Sequence, residues 1–160
     1  MTVRRGRSQR PLTGRIPFAL ALTLALQMSG VAFGRDVPGG KPASAGGVAQ
    51  ALIDAINAHD LDAVLRTYAP DSVARRLPGG EEFLRGHPDI RAKFAALFEK
   101  NPGIHIEIIG RIVHGDHVID REKISGLMGG AGPSYGAVVY EIRDGLIRNE
   151  WYLPKTSTAE

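Results

Sequence analysis

The chain has 160 residues, no cysteine and a formal net charge of +3. Without cysteine there is no disulfide, no thiol nucleophile and no cysteine-ligated zinc, so the fold rests on its hydrophobic core. The positive excess sits at the start: residues 1–15 carry Arg4, Arg5, Arg7, Arg10 and Arg15 without an acid, while residues 35–160 hold 15 Lys+Arg against 17 Asp+Glu, a net −2, and no nucleic-acid partner is expected.

The basic start is followed by an apolar run, Phe18 to Leu26, and by small residues around Ala32-Phe33-Gly34. Basic region, apolar core and small-residue exit predict an export signal over residues 1–34, cleaved before Arg35, and a periplasmic or secreted product. A retained anchor is the competing reading, but the run is shorter than the roughly 20 residues a span needs, so membrane contact is expected only through this segment. Residues 35–46, rich in Gly, Pro, Ser and Ala, read as a flexible linker, residues 47–154 as one domain and residues 155–160 as a tail.

Val48, Leu52, Ile53 and Ile56 recur at helical spacing, and a second short helix is predicted from Leu61 to Tyr68, with Asp60 as N-cap and Pro70-Asp71 as its stop. Ser72 to Leu77 and Glu81 to Arg85 read as a short strand pair around Pro78-Gly79-Gly80. A third helix is expected over Asp89 to Lys100, with Ile90, Phe94, Leu97 and Phe98 as its apolar stripe. Beyond Gly103 everything reads as antiparallel strand: Ile104 to His114 and His117 to Leu127 about Gly115-Asp116, then Ser134 to Arg143 and Leu146 to Leu153 about Asp144-Gly145. Helices first and a long sheet after, without β-α-β alternation, predict the α+β class.

Two-residue turns fix the register. Arg111 then faces Asp120, Ile109 faces Glu122 and His105 faces Gly126; in the second hairpin Glu141 faces Arg148, Tyr140 faces Asn149 and Val138 faces Trp151. A bulge shifts such pairs by one. Asp120 and Glu122 share a face with Val118 and Ile124, because alternate strand residues look the same way. If that face is interior, two acids are lodged in it and must be paired, hydrogen-bonded or wet. They are then candidate acid/base groups, with Arg111 holding Asp120 ionised and Glu122 left as the more easily protonated partner, and His105 a candidate proton carrier on the same face. A solvated salt-bridge ladder on the outer face, with Ile104, Ile106, Ile108, Ile112 and Ile119 as the core, is the other reading.

Tyr140, Trp151, Phe94 and Phe98 are candidate pocket-lining aromatics; core packing is the simpler account of Tyr140 and Trp151. His114, His117 and Asp116 flank a tight turn and read as solvated groups, so no metal is expected. Gly129-Gly130-Ala131-Gly132-Pro133 lacks the lysine and hydroxyl of a phosphate loop, and no cofactor is expected.

Ala55-Ile56-Asn57-Ala58-His59-Asp60-Leu61-Asp62-Ala63, Tyr68-Ala69-Pro70-Asp71, Arg85-Gly86, the Phe94 to Phe98 helix and Ile142 to Ile147 together resemble the nuclear transport factor 2-like superfamily, in its SnoaL-like and ketosteroid-isomerase-like branch. The resemblance implies a cone-shaped roll, three helices on a curved, mainly antiparallel sheet around an apolar pocket, commonly a homodimer through the sheet. In ketosteroid isomerases a first-helix tyrosine, a carboxylate after the second helix and a late-strand acid do the chemistry; here those positions fall near Leu52, Arg75 or Arg76, and Val138. That mechanism is therefore not implied, and Asp120 is comparable to the SnoaL acid by analogy alone. Three functions remain open: an exported domain binding a hydrophobic small molecule, a cofactor-free acid/base enzyme on a steroid- or polyketide-like substrate, and a protein-interaction module.

Overall fold

The computed structural model describes residues 43–130 and 132–159. The leader expected at residues 1–34 and most of the linker lie outside the described residues.

Helix α1 spans Ala45–Asn57, starting two residues before Gly47 because the Ser44 hydroxyl accepts from the Gly47 amide at 3.2 Å. Its buried stripe includes Val48, Leu52, Ile53 and Ile56, as the spacing predicts. Asp60 caps α2, Leu61–Thr67, through the Ala63 amide at 2.8 Å. That helix ends sooner than expected. A residue before proline is driven to extended backbone, and strand β1, Tyr68–Arg76, already begins ahead of Pro70, not at Ser72. Tyr68 thereby becomes a strand residue whose ring is buried in the core.

β2, Glu81–Arg85, pairs antiparallel with β1. Helix α3, Gly86–Lys100, begins three residues before Asp89, whose side chain instead accepts from the Arg85 amide at 2.8 Å, and Pro88 is tolerated within the first turn. Gly86 is required at its start: φ is +70°, and a Cβ there would lie 2.7 Å from the Pro70 carbonyl oxygen. The remaining strands are β3, His105–His114; β4, His117–Ser125; β5, Ser134–Arg143; and β6, Leu146–Tyr152. They complete a sheet of order β2-β1-β6-β5-β4-β3 in which only β1–β6 is parallel. The helices cover one face of this sheet, giving the expected α+β roll.

Each of the two long hairpins contains a bulge. In β3–β4 the register shifts between Ile108 and Gly110, so Ile108, not Ile109, faces Glu122, and His105 faces Ser125. In β5–β6 it shifts between Glu141 and Ile142: Asn149 faces Glu141, Glu150 faces Tyr140 and Tyr152 faces Val138. At the C-terminal end of α1 one side chain holds edge strand β3 to the helix. The Asn57 amide donates to the Ile106 carbonyl at 2.9 Å and its oxygen accepts from the Ile106 amide at 2.8 Å, as a neighbouring strand would.

Candidate functional site

The helix-covered face of the sheet holds three buried acids, Asp120, Glu122 and Glu150. Asp120 and Glu122 lie on that face by strand alternation, and Glu150 by the β5–β6 bulge.

Asp120 is fully buried and gripped on both oxygens by Arg111, Nε to Oδ1 and Nη2 to Oδ2, each at 2.6 Å. Arg111 also donates to Gln50 Oε1 at 2.9 Å, so the guanidinium ties the sheet to α1. This is a closed, bidentate pair with its geometry satisfied.

Among the described residues, Glu122 has no such partner. Its one side-chain hydrogen bond comes from the Tyr140 hydroxyl at 3.2 Å. Burial pushes its carboxyl up to about 7; the neighbouring Asp120 and Glu150 push the same way, while the Tyr140 bond and Lys93 oppose. Glu150 accepts from Tyr68 at 2.6 Å and from Tyr152 at 3.1 Å, and burial raises its carboxyl as well, against the pull of Lys93 and the tyrosine bonds. The Lys93 ammonium donates to the Tyr152 hydroxyl at 2.6 Å and sits over the rings of Tyr152 and Phe94 at 4.3 and 4.7 Å. Desolvation lowers its pKa. Tyr68, Tyr140 and Tyr152 are all pushed well above the ordinary phenol value, chiefly by burial, and so stay proton donors at neutral pH.

Glu122, Lys93, Tyr140 and Tyr152 open onto a chamber of about 120 Å³ whose other walls are mostly apolar, among them Leu52, Phe94, Ile106 and Val138. Cavities of roughly 150 Å³ take a benzene ring, so the chamber suits a group of about that size. A carboxyl poised near neutrality in such a chamber can take up and give back a proton.

The residues expected at the site are only partly brought together. Glu122, Tyr140 and Phe94 line the chamber. Asp120 and Arg111 lie beside it as a closed pair, and Phe98 stacks on His59 at a centroid distance of 4.9 Å. His105 is exposed, because the bulge between Ile108 and Gly110 turns it away from the face it was expected to share with Glu122. Trp151 faces Val139 rather than Val138 and lies on the outer face, for the corresponding reason in β5–β6. The outer-face ladder with Ile112 and Ile119 as core is overturned: Ile112 is 62% exposed and Ile119 39%, whereas both acids are buried.

Sequence reasoning missed Glu150, Tyr68, Tyr152 and Lys93. Lys93 did leave a signal, since it occupies the i+3 position in the stripe Ile90, Phe94, Leu97.

A SnoaL-like domain model matches residues 49–150, and the chain belongs to that family, within the nuclear transport factor 2-like superfamily. No curated protein matches it. Among solved structures it is similar to an uncharacterized cystatin-fold protein of Novosphingobium aromaticivorans, with 24% identity over 69% of this chain and 98% of that one and a TM-score of 0.62. It is also similar to a candidate polyketide cyclase of Sinorhizobium meliloti, with 27% identity over 66% and 92% and a TM-score of 0.56. An LEH-like epoxide hydrolase of M. tuberculosis shares 19% identity over 66% and 78%, with a TM-score of 0.57.

Proposed function

We propose that this SnoaL-like domain binds a small, mostly apolar molecule in the chamber and carries out cofactor-free acid/base chemistry on it, with Glu122 as the proton-transferring group. The observation that carries the reading is the state of Glu122: buried, lacking an arginine, and raised to about 7. A base poised near the working pH is the most effective proton carrier. Glu122 takes a proton from a carbon next to a substrate carbonyl and returns it to another atom, while the Tyr140 hydroxyl, released as the Glu122 carboxylate takes up the proton, turns to donate a hydrogen bond to the oxygen on which charge develops. The cyclase description of the Sinorhizobium meliloti structure supports acid/base chemistry of this kind. The chamber volume favours a compact reacting group over a whole steroid nucleus.

The test is solvent-deuterium exchange into a panel of small ketones and β-dicarbonyl compounds, followed by NMR and compared between the wild type and Glu122→Gln. Loss of exchange by roughly 10²-fold or more, with binding retained, is expected. Binding without any exchange in the wild type would leave a pure ligand-binding domain, and an ordinary carboxyl pKa for Glu122 would sink the acid/base reading.

Export is part of the same proposal: cleavage near Gly34 is expected to give a mature start at Arg35, which mass spectrometry of the product from a natural host reads. The outer sheet face supports a homodimer, since Ile112, Ile119, Val139 and Trp151 form one row across four strands. The same row is the observation favouring a protein-interaction module; sedimentation of the purified protein separates self-association from a face left free for another partner.

A further inference from the structure

The chamber opens toward a second, larger hollow of about 480 Å³ lined by Arg76, Leu77, Phe83, Lys93, Tyr152, Leu153, Pro154 and Lys155. Lys93, Tyr152, Leu153 and Lys155 belong to both walls, so the hollow is a vestibule to the chamber. Its chemistry is opposite in sign. Three cations line it and, among the described residues, no acid does. Among the described residues, Arg76, Lys93 and Lys155 have no carboxylate within ion-pair distance, a state shared only by Lys100 and Arg121, whereas Arg66, Arg75, Arg85, Arg91, Arg111, Lys123, Arg143 and Arg148 each have one. Arg76 is instead stacked on the Phe83 ring, 3.9 Å from its centroid, with its donors left for another partner. Burial is the main reason the Lys93 pKa is lowered; Glu150 and Glu122 oppose it, and the charges of Lys155 and Arg76 add a smaller push in the same direction as burial, which places both cations near the Lys93 ammonium.

Three unpaired cations around one opening repel one another, and an anion placed among them relieves that repulsion. A permanently charged head is less favoured farther in, beside the buried acids Glu122 and Glu150, than among the cations at the mouth. The two hollows therefore orient a ligand, apolar end inward and charged end at the mouth.

We propose that the molecule this domain takes is an amphipathic anion, with a compact apolar group in the chamber beside Glu122 and a carboxylate or phosphate head held in the vestibule by Arg76, Lys93 and Lys155. This rests on the chamber being the ligand site, as proposed above, and narrows its substrate class.

Calorimetric titration of the purified protein with phenylpropanoate, its methyl ester and phenylpropyl phosphate tests it. The ring matches the chamber and the head alone changes. One or both anions bind roughly tenfold or more tightly than the ester, as expected for hydrogen bonds to a charged group, and that preference shrinks with added salt. Arg76→Met and Lys155→Met, at exposed positions that keep an apolar stem, each weaken the anions several-fold and leave the ester unchanged. Which anion wins identifies the head. Equal binding of ester and anions, no binding of any probe, or anion binding indifferent to both substitutions overturns the proposal. Should the preference fail while Glu122 still titrates near neutrality, only the substrate class falls; an ordinary Glu122 pKa removes the acid/base reading whatever the probes do.

Discussion

Asp120 and Glu122 are two residues apart on one strand, share one face and are both buried, yet they are opposite kinds of acid. Asp120 has both oxygens engaged by a guanidinium at 2.6 Å. Glu122 has one phenol at 3.2 Å and a nearby lysine whose ammonium donates to Tyr152 rather than to it. Burial with a dedicated counter-ion makes a structural acid. Burial with hydroxyl partners alone leaves a group that changes protonation in the physiological range.

The sharpest way to break this contrast is Arg111→Met. It strands Asp120 in the interior without its partner and is expected to lower the unfolding free energy by about 3–5 kcal/mol; adding Asp120→Leu recovers much of that. Urea denaturation of the single and double variants measures both, and a single-variant loss below about 1 kcal/mol would put Asp120 in the same class as Glu122.

Glu122 predicts the opposite dependence on conditions. Its folded-state carboxyl is raised from 4.5 to about 7, so between those values the folded protein holds a proton that the unfolded chain has released. The stabilisation is fully present below the unfolded value and is lost as pH rises through the folded one. Stability is therefore expected to fall from about pH 4.5 to pH 7 by on the order of 3 kcal/mol from this group. Glu150, raised for the same reason, adds to the trend. Glu122→Gln flattens its share of the slope, and a wild-type curve that rises over this window contradicts the assignment.

Tyr140→Phe removes the one hydrogen bond that holds the Glu122 carboxyl down. Its pKa moves farther up, visible in a carboxyl-carbon NMR titration, with a stability loss near 1 kcal/mol. A downward move shows that Tyr140 acts on Glu122 otherwise. The smallest effect belongs to the outer face, where Lys123 pairs with Glu107 at 3.0 Å with both side chains exposed. Glu107→Ala is expected to change stability by less than about 1 kcal/mol, and less still at high salt.

Much of this was legible from residues alone. The placement of Asp120 and Glu122 on one face, and of Arg111 opposite Asp120, follows from a two-residue turn and the period of a strand, and it survives because the β3–β4 bulge lies beyond Arg111. What lay past a bulge was not legible. His105 sits on the far side of the first bulge, and Trp151, Glu150 and Tyr152 on the far side of the second, where each face inverts. Tyr68 was hidden by a helix that stops before its expected end. One inserted residue per hairpin thus decided which acids and phenols meet, while leaving the order of elements untouched.

Asn57 has a bearing on how this protein stays in solution. By imitating a strand at Ile106 it occupies backbone groups at one end of β3, an edge strand whose other end carries exposed Ile112 and Val113. An open edge next to bare aliphatic side chains is a template on which further chains add, strand by strand. The opposite edge, β2, is short and carries Glu81, Glu82 and Arg85. The amide at the end of α1 is thus a guard against fibrous or swapped assembly, and Asn57→Leu is expected to bring concentration-dependent light scattering on storage before any large drop in melting temperature. A variant that stays clear at high concentration would show that the edge is protected by other means.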